Sequence, residues 1–172
     1  MKQKKLLIFM PSIEMGGVEK NLFIISNFLS LKFKSVKFIT SSFNTEKLNK
    51  KIKIIRLNFF NKLLKNRFLK IIISCVLLTK EILRQKNITI LSFQANIYSI
   101  LIAKLFGEKI IIRLNSSPAG WAKNKFKRKF LKKIYSKADL IIVNSFEFKK
   151  EIWKKFKLKS FCIYNPLDKN TI

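Results

Sequence analysis

A chain of 172 residues, 48% of them hydrophobic, is long enough for one domain with a real core and has no low-complexity tract typical of disorder. Its 37 Lys and Arg against 9 Asp and Glu give a net charge of +28, which favours an anionic partner: nucleic acid, anionic lipid or a phosphorylated substrate. The sequence has no histidine, which excludes a histidine base and a zinc site. Cys75 and Cys162 lie in apolar runs, so we predict reduced core cysteines, with a disulfide as the less favoured alternative.

Apolar runs alternate with helical periods along the whole chain. Strands are predicted at residues 6–10, 36–41, 52–57, 88–93, 109–113, 140–144 and 161–164, and helices at 18–33, 63–86, 97–106, 123–137 and 147–156. This alternation predicts an α/β fold: a doubly wound, Rossmann-like parallel sheet covered on both faces, with ligands at the carboxyl ends of the strands. Neither an internal repeat nor a linker precedes residue 165, so we predict one domain.

Neither a secretory signal nor a membrane span is expected. The apolar stretch after Lys5 ends at Pro11, and the longest apolar run, residues 71–78, is far shorter than the roughly 20 residues that a span requires. We therefore predict a cytoplasmic protein. Peripheral contact with the inner face of the cytoplasmic membrane is left open.

A glycine pair, Gly16 and Gly17, lies between the first strand and the first helix. A strand, a glycine turn and a helix N-terminus together let backbone N–H groups approach an anion. A tight turn that only packs the helix on the sheet is an equal alternative. Binding of NAD is not expected, because the second strand ends in Thr40-Ser41-Ser42 and offers no carboxylate for a ribose.

Two polar segments follow predicted strands. Arg113, Asn115 and Ser116 come after the fifth strand, where a doubly wound sheet places ligands and where an arginine suits a phosphate or carboxylate. Asn144 and Ser145 come after the sixth strand. For the first segment the alternative is a polar loop, and for the second it is an N-cap of the following helix.

The predicted helix at residues 123–137 has eight cations and no acid. We predict an inner face of Phe126, Phe130 and Ile134, with the like charges on the outside repelling one another. An anionic membrane surface would relieve that repulsion, and a solvated helix face is the alternative. Nucleic acid is less favoured, because the aromatics are predicted to face the core. The residues predicted to face the membrane are Lys123, Lys125, Lys127, Arg128, Lys129, Lys132, Lys133 and Lys137.

Three segments together resemble the GT-B glycosyltransferases of family 4. They are Pro11-Ser12 with Gly16-Gly17-Val18-Glu19, the run Ala138 to Ser145, and Ile163-Tyr164-Asn165-Pro166-Leu167-Asp168. The resemblance covers nearly the whole chain and implies the N-terminal, acceptor-side domain of a GT-B enzyme. It further implies residues 1–165 as a Rossmann-like domain and 166–172 as the start of a linker, with a C-terminal donor domain absent from these 172 residues.

The resemblance implies a retaining transfer from a nucleotide sugar, UDP-linked, to a polyprenyl-diphosphate saccharide or another cell-envelope glycan. No cofactor or metal is implied. Gly16 and Gly17 would approach the donor diphosphate, and Arg113, Asn115 and Ser116 match a cleft segment in which many members have a histidine. No residue is assigned to catalysis. A stand-alone module that binds anionic lipid or RNA, and one half of a two-domain sugar-nucleotide epimerase, remain the alternatives.

Overall fold

The computed structural model of the protein describes residues 5–14, 16–57, 66–116, 120, 122 and 124–167. Every predicted strand and helix is confirmed in type and order, with ends that differ by a few residues. In chain order the elements are β1 (Lys5–Phe9), α1 (Gly17–Lys32), β2 (Ser35–Ile39), β3 (Ile52–Ile55), α2 (Arg67–Arg84), β4 (Ile88–Ser92), α3 (Asn96–Leu105), β5 (Lys109–Leu114), α4 (Lys125–Tyr135), β6 (Leu140–Val143), α5 (Phe146–Phe156) and β7 (Phe161–Cys162). The start of the second predicted helix, residues 63–65, lies outside the described residues.

The strands of the described chain form one parallel sheet in the order β3-β2-β1-β4-β5-β6-β7. The chain begins in the middle, adds β2 and β3 on one side, and then crosses through α2 to build β4 to β7 on the other side. The order therefore reverses between β1 and β4, which pair directly from Lys5↔Ile88 to Phe9↔Ser92. In a doubly wound sheet, ligands bind in the crevice at the carboxyl ends of the two strands at such a point. The predicted Rossmann-like fold is confirmed.

A buried apolar cluster lies on each face of the sheet because successive side chains of a strand point to opposite faces. Leu6 and Ile8 of β1 pack with Leu22 of α1. Leu7 and Phe9 of the same strand join the cluster that contains the inner faces of α2, α3, α4 and α5. This two-sided burial explains why β1 is an uninterrupted apolar run.

The two faces are covered unequally. Among the helices of the described residues, four cover one face and α1 packs on the other. Beside α1, a groove of about 440 Å³ is lined by residues such as Phe28, Ile142 and Ile163. The predicted coverage of both faces thus holds for the middle of the sheet and is incomplete over β5, β6 and β7.

The inner face of α4 agrees with the prediction at Ile134 and differs from it at Phe126 and Phe130. Leu131, Ile134 and Tyr135 are buried, whereas Phe126 and Phe130 are 81% and 51% exposed. Both sets have helical spacing, so periodicity alone could not decide which set packs on the sheet. Phe126 and Phe130 therefore face outward together with the lysines of α4.

The polar side of α2 faces inward at two positions. Ser74 and Glu81 are both buried, and each has a polar partner there. The Ser74 hydroxyl is hydrogen-bonded to the Ser41 hydroxyl at 2.8 Å, and the Glu81 carboxylate forms a salt bridge with Lys37 Nζ at 2.7 Å. With Ser74 and Glu81 facing inward, other positions of α2 face the solvent, and the side chains of Phe68 and Val76 are more than half exposed. Within the described part of the chain, no helix has the length and apolar composition needed to cross a bilayer.

Candidate functional site

A cleft of about 520 Å³ opens at the point where the strand order reverses. The segments that follow β1, β4 and β5 line it, together with the first turns of α1 and α3. Among its lining residues are Glu14, Val18 and Glu19 from the first segment, Gln94 and Asn96 from the second, and Arg113, Asn115 and Ser116 from the third. The cleft therefore brings the glycine-turn segment next to the polar segment predicted after the fifth strand.

Glu19 organises the glycine turn. Its carboxylate accepts hydrogen bonds from the Glu14 N–H (3.2 Å) and from the Gly16 N–H (3.0 Å), and the side chain is buried. A glutamate in the first turn that reaches back to the residue before the helix is the carboxylate half of a capping box. Because Glu19 already occupies these two N–H groups, the N–H groups that remain for an external anion among the described residues of the turn are those of the first helical turn, beginning with Gly17.

The two glycines have different surroundings. A Cβ added at Gly16 would lie 2.9 Å from Glu19 Oε2 and 3.3 Å from the Glu14 carbonyl oxygen. A Cβ added at Gly17 would meet nothing within 4 Å, and Gly17 does not have a positive φ. Packing inside the turn therefore accounts for Gly16, whereas neither backbone conformation nor packing requires a glycine at position 17.

The segment after β4 was missed in the sequence analysis. Gln94 Oε1 accepts a hydrogen bond from the Ser12 N–H at 3.0 Å and so ties this segment to the turn after β1. Ala95 has a φ of 55°, which is unusual for a residue with a Cβ and is frequent at functional sites. The signal was present: Gln94 and Asn96 follow the strand at which the order reverses. Recognising it requires the strand order, which the sequence pattern does not contain.

Arg113 is a buried cation at the carboxyl end of β5. Its side chain is 2% exposed, and Nη2 donates to the Ile163 carbonyl oxygen (3.1 Å) and to Asn165 Oδ1 (2.9 Å). Burial lowers the pKa of the guanidinium, but arginine keeps its charge in proteins. Among the described residues no carboxylate forms a salt bridge with Arg113, and its Nε has no hydrogen-bond partner. Arg113 thus has unused capacity for an anion.

The other predicted polar residues divide into two groups. Asn115 donates from Nδ2 to the Phe93 carbonyl oxygen at 3.0 Å, and Ser116 is exposed at the cleft. Asn144 and Ser145 are not among the residues that line the cleft. Ser145 is instead the N-cap of α5, because its hydroxyl accepts the Phe148 N–H at 3.1 Å, as the second interpretation of this residue predicted.

Tyr135 lies at the cleft from the α4 side. Burial raises its pKa to about 12, so the phenol stays protonated at neutral pH. The lining of the cleft therefore offers fixed donors, namely a protonated phenol, amide side chains and the Arg113 cation, and it also contains the carboxylates of Glu14 and Glu19, of which that of Glu19 is bound within the turn. Such a set of fixed donors can stabilise negative charge that develops on a phosphate oxygen.

The basic helix is exposed as predicted. Lys125, Lys127, Lys129, Lys132, Lys133 and Lys137 are exposed, Arg128 is partly buried, and Lys123 lies outside the described residues. Asn124 caps the helix by accepting the Lys127 N–H at 2.8 Å. The exposed Phe126 and Phe130 lie among these cations, which removes the reason given above for disfavouring nucleic acid.

Comparison with known proteins gives one family and a consistent fold. The model of Glycosyltransferase Family 4 matches residues 15–171. UGT73P12 of Glycyrrhiza uralensis, solved with glycyrrhetinic acid 3-O-monoglucuronide, is 11% identical with a TM-score of 0.63, and the match covers 94% of this chain and 48% of that one. A UGT transferase of Siraitia grosvenorii, solved with UDP, is 11% identical with a TM-score of 0.58, and the match covers 96% of this chain and 52% of that one. No protein of curated function matches the sequence.

These structures are GT-B glycosyltransferases, so the likeness shows the fold that the sequence analysis predicted. The chain spans about half the length of each.

Proposed function

The chain belongs to glycosyltransferase family 4, and on this basis we propose that it forms the acceptor-side half of a retaining glycosyltransferase. The donor is a UDP-linked sugar, and the acceptor is a polyprenyl-diphosphate saccharide or another cell-envelope glycan. Residues 1–165 are the acceptor-side domain, and residues 166–172 begin the linker to the donor-side domain. That second domain lies on the same polypeptide or on another one.

The observation that carries the proposal is the buried Arg113 cation in the cleft at the point where the strand order reverses. An uncompensated charge that is removed from water is costly, and a bound anion offsets that cost. A diphosphate matches the site because arginine binds phosphate oxygens through a fork of N–H groups. The nucleotide sugar contains a diphosphate, and so does a polyprenyl-diphosphate acceptor.

The arrangement suggests how these residues contribute. The first N–H groups of α1, the Arg113 guanidinium and the Asn115 amide are fixed before substrate arrives, so they stabilise leaving-group charge without reorganising. Arg113 also holds Asn165 and Ile163 just before the linker. Binding of a diphosphate at Arg113 is thereby coupled to the position of the segment that leads to the second domain.

Transfer activity tests the proposal directly. We expect the 172-residue chain, incubated with radiolabelled UDP-sugars and a polyprenyl-diphosphate acceptor, to incorporate no label into the lipid, because half of the site is outside this chain. The same chain together with its donor-side domain should transfer one of the sugars. Robust turnover by the chain alone would contradict the half-site, and no transfer from any UDP-sugar by the complete enzyme would contradict the reaction.

We further propose that α4 contacts an anionic membrane surface. Its exposed lysines have no acid among them, and each basic residue near such a surface contributes about 1 kcal/mol. An acceptor anchored in the membrane by its lipid would be reached from there. RNA is the competing anionic partner, and the vesicle-binding experiment described below includes RNA to distinguish the two.

Neutralising four cations of α4 is expected to weaken vesicle binding at least about tenfold, because most of their Coulombic attraction is lost. We would replace Lys127, Lys129, Lys132 and Lys133 by Gln and measure co-sedimentation with anionic vesicles. Binding of the unmodified chain should fall steeply from about 0.1 M to about 1 M salt, as the screening length shrinks from about 10 Å to about 3 Å.

The matched control neutralises four exposed lysines at a distance from α4: Lys20, Lys50, Lys51 and Lys53. The net charge changes equally in both variants, so only a local effect separates them. Equal losses in the two variants, or equal binding to neutral and anionic vesicles, would contradict the α4 contact. Displacement of the chain from vesicles by RNA would favour the stand-alone binding module.

A further inference from the structure

The cleft has two ends, which lie on opposite faces of the sheet. Arg113 and Leu114 are consecutive residues of β5, so their side chains point to opposite faces. Leu114 belongs to the apolar cluster beneath α2 to α5, as does Tyr135 of α4, whereas Arg113 borders the groove beside α1. All three residues line the cleft. The cleft therefore spans the edge of the sheet, with the buried cation at one end and Tyr135 at the other.

The Tyr135 hydroxyl is an unused hydrogen-bonding group at the cleft. The residue is only 2% exposed, and burial raises its pKa to about 12, so the hydroxyl keeps its proton at neutral pH. No described residue forms a hydrogen bond with it. A buried tyrosine hydroxyl usually has a partner, and it can both donate and accept. A molecule in the cleft that carries hydroxyl groups would supply that partner.

Ser12 fixes two further polar groups that line the cleft. It is fully buried, its N–H donates to Gln94 Oε1 at 3.0 Å, and its hydroxyl donates to Glu14 Oε1 at 3.0 Å. Because Oε1 of Gln94 is the accepting atom, the Nε2 group of the same amide is left to donate elsewhere. Oε2 of Glu14 is likewise left to accept. Within the described part of the chain, neither of these two atoms has a hydrogen-bond partner.

These free groups suit an uncharged, hydroxyl-rich molecule. An amide donor, a carboxylate acceptor and a phenol that does both match hydroxyl groups, which themselves donate and accept. The Glu14 carboxylate repels phosphate. Arg67, the second cation of the lining, is exposed, where it attracts an anion only weakly. Ile97 and Leu114 supply apolar contact for C–H groups. A sugar ring combines such hydroxyl and C–H groups.

We propose that Glu14, Gln94 and Tyr135 form a subsite for the sugar residue of the acceptor, while Arg113 binds a diphosphate at the other end of the cleft. The inference rests on the proposed function and deepens it, because it names the residues that recognise the saccharide. A site built to bind a hydroxyl group rejects an analogue that cannot fill it, since its polar groups are then left unpaired. The subsite thus selects which sugar is accepted. The ribose of a UDP-sugar is the other source of hydroxyl groups, and the test separates the two.

Calorimetric titration of the 172-residue chain measures the subsite without sugar transfer. The probes are farnesyl diphosphate, its glucosyl, galactosyl and N-acetylglucosaminyl esters, and UDP. One of the esters should bind about tenfold more tightly than farnesyl diphosphate, because it adds hydrogen bonds at the subsite. Tyr135→Phe removes one oxygen atom and no hydrogen bond within the described chain. It should lower the affinity for the preferred ester about fivefold and leave both farnesyl diphosphate binding and the unfolding temperature unchanged.

Glu14→Gln gives a readout that a merely structural residue would not give. Its amide oxygen can still accept from the Ser12 hydroxyl, but the second acceptor and the negative charge are lost. The preferred ester should bind about fivefold more weakly relative to farnesyl diphosphate, whereas farnesyl diphosphate itself should bind more tightly because repulsion of its phosphates is removed. Tyr164→Phe and Glu46→Gln are the matched controls, since both residues are exposed and neither lines the cleft. Both controls should bind every probe like the unmodified chain.

The outcomes separate the subsite from the proposed function. If farnesyl diphosphate binds but no ester binds more tightly, or if Tyr135→Phe keeps the full preference for the ester, the sugar subsite is wrong and the diphosphate site stands. If Tyr135→Phe weakens UDP binding and leaves ester binding unchanged, the hydroxyl groups are those of the ribose and the assignment to the acceptor is wrong. If neither farnesyl diphosphate, its esters nor UDP binds, the diphosphate site of the proposed function is wrong as well.

Discussion

Replacing Arg113 by Met in the complete two-domain enzyme is expected to lower kcat/KM about a hundredfold, as the loss of one charged donor to a developing anion typically does. The free energy of unfolding should stay within about 1 kcal/mol or rise. The variant loses two hydrogen bonds of about 1 kcal/mol each, but it also removes a buried cation with which no carboxylate of the described residues pairs. The measurement is steady-state transfer alongside thermal unfolding of the same preparations.

Two further variants make the Arg113 result specific. Arg113→Lys keeps the charge but loses the fork of N–H groups, so it should recover only part of the activity. Arg56→Met removes a second arginine, which is partly buried and does not line the cleft. The guanidinium carbon of Arg56 lies 4.7 Å from the centre of the Phe43 ring. Arg56→Met should leave transfer unchanged. If Arg113→Met transfers normally, the buried cation does not serve the substrate and only anchors Asn165.

The sequence pattern predicts the elements of this fold well, because buried strands of a parallel sheet are continuous apolar runs. Residues 6–9 and 110–112 are such runs, and each lies in a central strand. The ends of strands are harder to predict from the sequence pattern, because a strand ends where the neighbouring strand stops pairing with it. The seventh strand was predicted over residues 161–164 and ends at Cys162, although the Ile163 N–H still donates to the Val143 carbonyl oxygen at 2.9 Å.

Helix faces were harder to predict than helices. In α4 the spacing of Phe126 and Phe130 fits an inner face as well as that of Leu131 and Tyr135 does, and only contact with the sheet decides between them. In α2 a buried serine and a buried glutamate have partners, Ser41 and Lys37, that are distant in sequence. Pairings across that distance leave no local periodic signal.

The candidate site was predicted in part. Arg113, Asn115 and Ser116 were located from the rule that ligands lie at the carboxyl ends of strands, and they do line a cleft there. Gln94 and Asn96 were missed because the strand that precedes them could not be placed beside β1 before the sheet order was known. The roles of Arg113, Asn115 and Ser116 in substrate binding, like those of Gly16, Gly17, Asn144 and Ser145, stay predictions.

Gly17→Val is expected to abolish transfer by the complete enzyme while leaving the fold intact. A Cβ at Gly17 meets no atom within 4 Å and the residue lacks a positive φ, so we expect no strain. Restricting the unfolded chain could even stabilise the domain by about 0.4–1 kcal/mol. If a diphosphate approaches the first N–H groups of α1, as we propose, a branched side chain at the first helical residue blocks that approach.

Two other glycines supply the contrast for Gly17→Val. Gly107 has a φ of 70° and ends α3 at the opposite edge of the sheet, so Gly107→Val should lower the unfolding temperature and leave transfer by the folded fraction unchanged. Gly16→Val should impair both, because its Cβ meets the Glu19 carboxylate that holds the turn. Only loss of transfer without loss of stability in Gly17→Val supports approach of a phosphate. Full activity in that variant would mean that the glycine pair is no more than a turn, with Glu19 as its organiser.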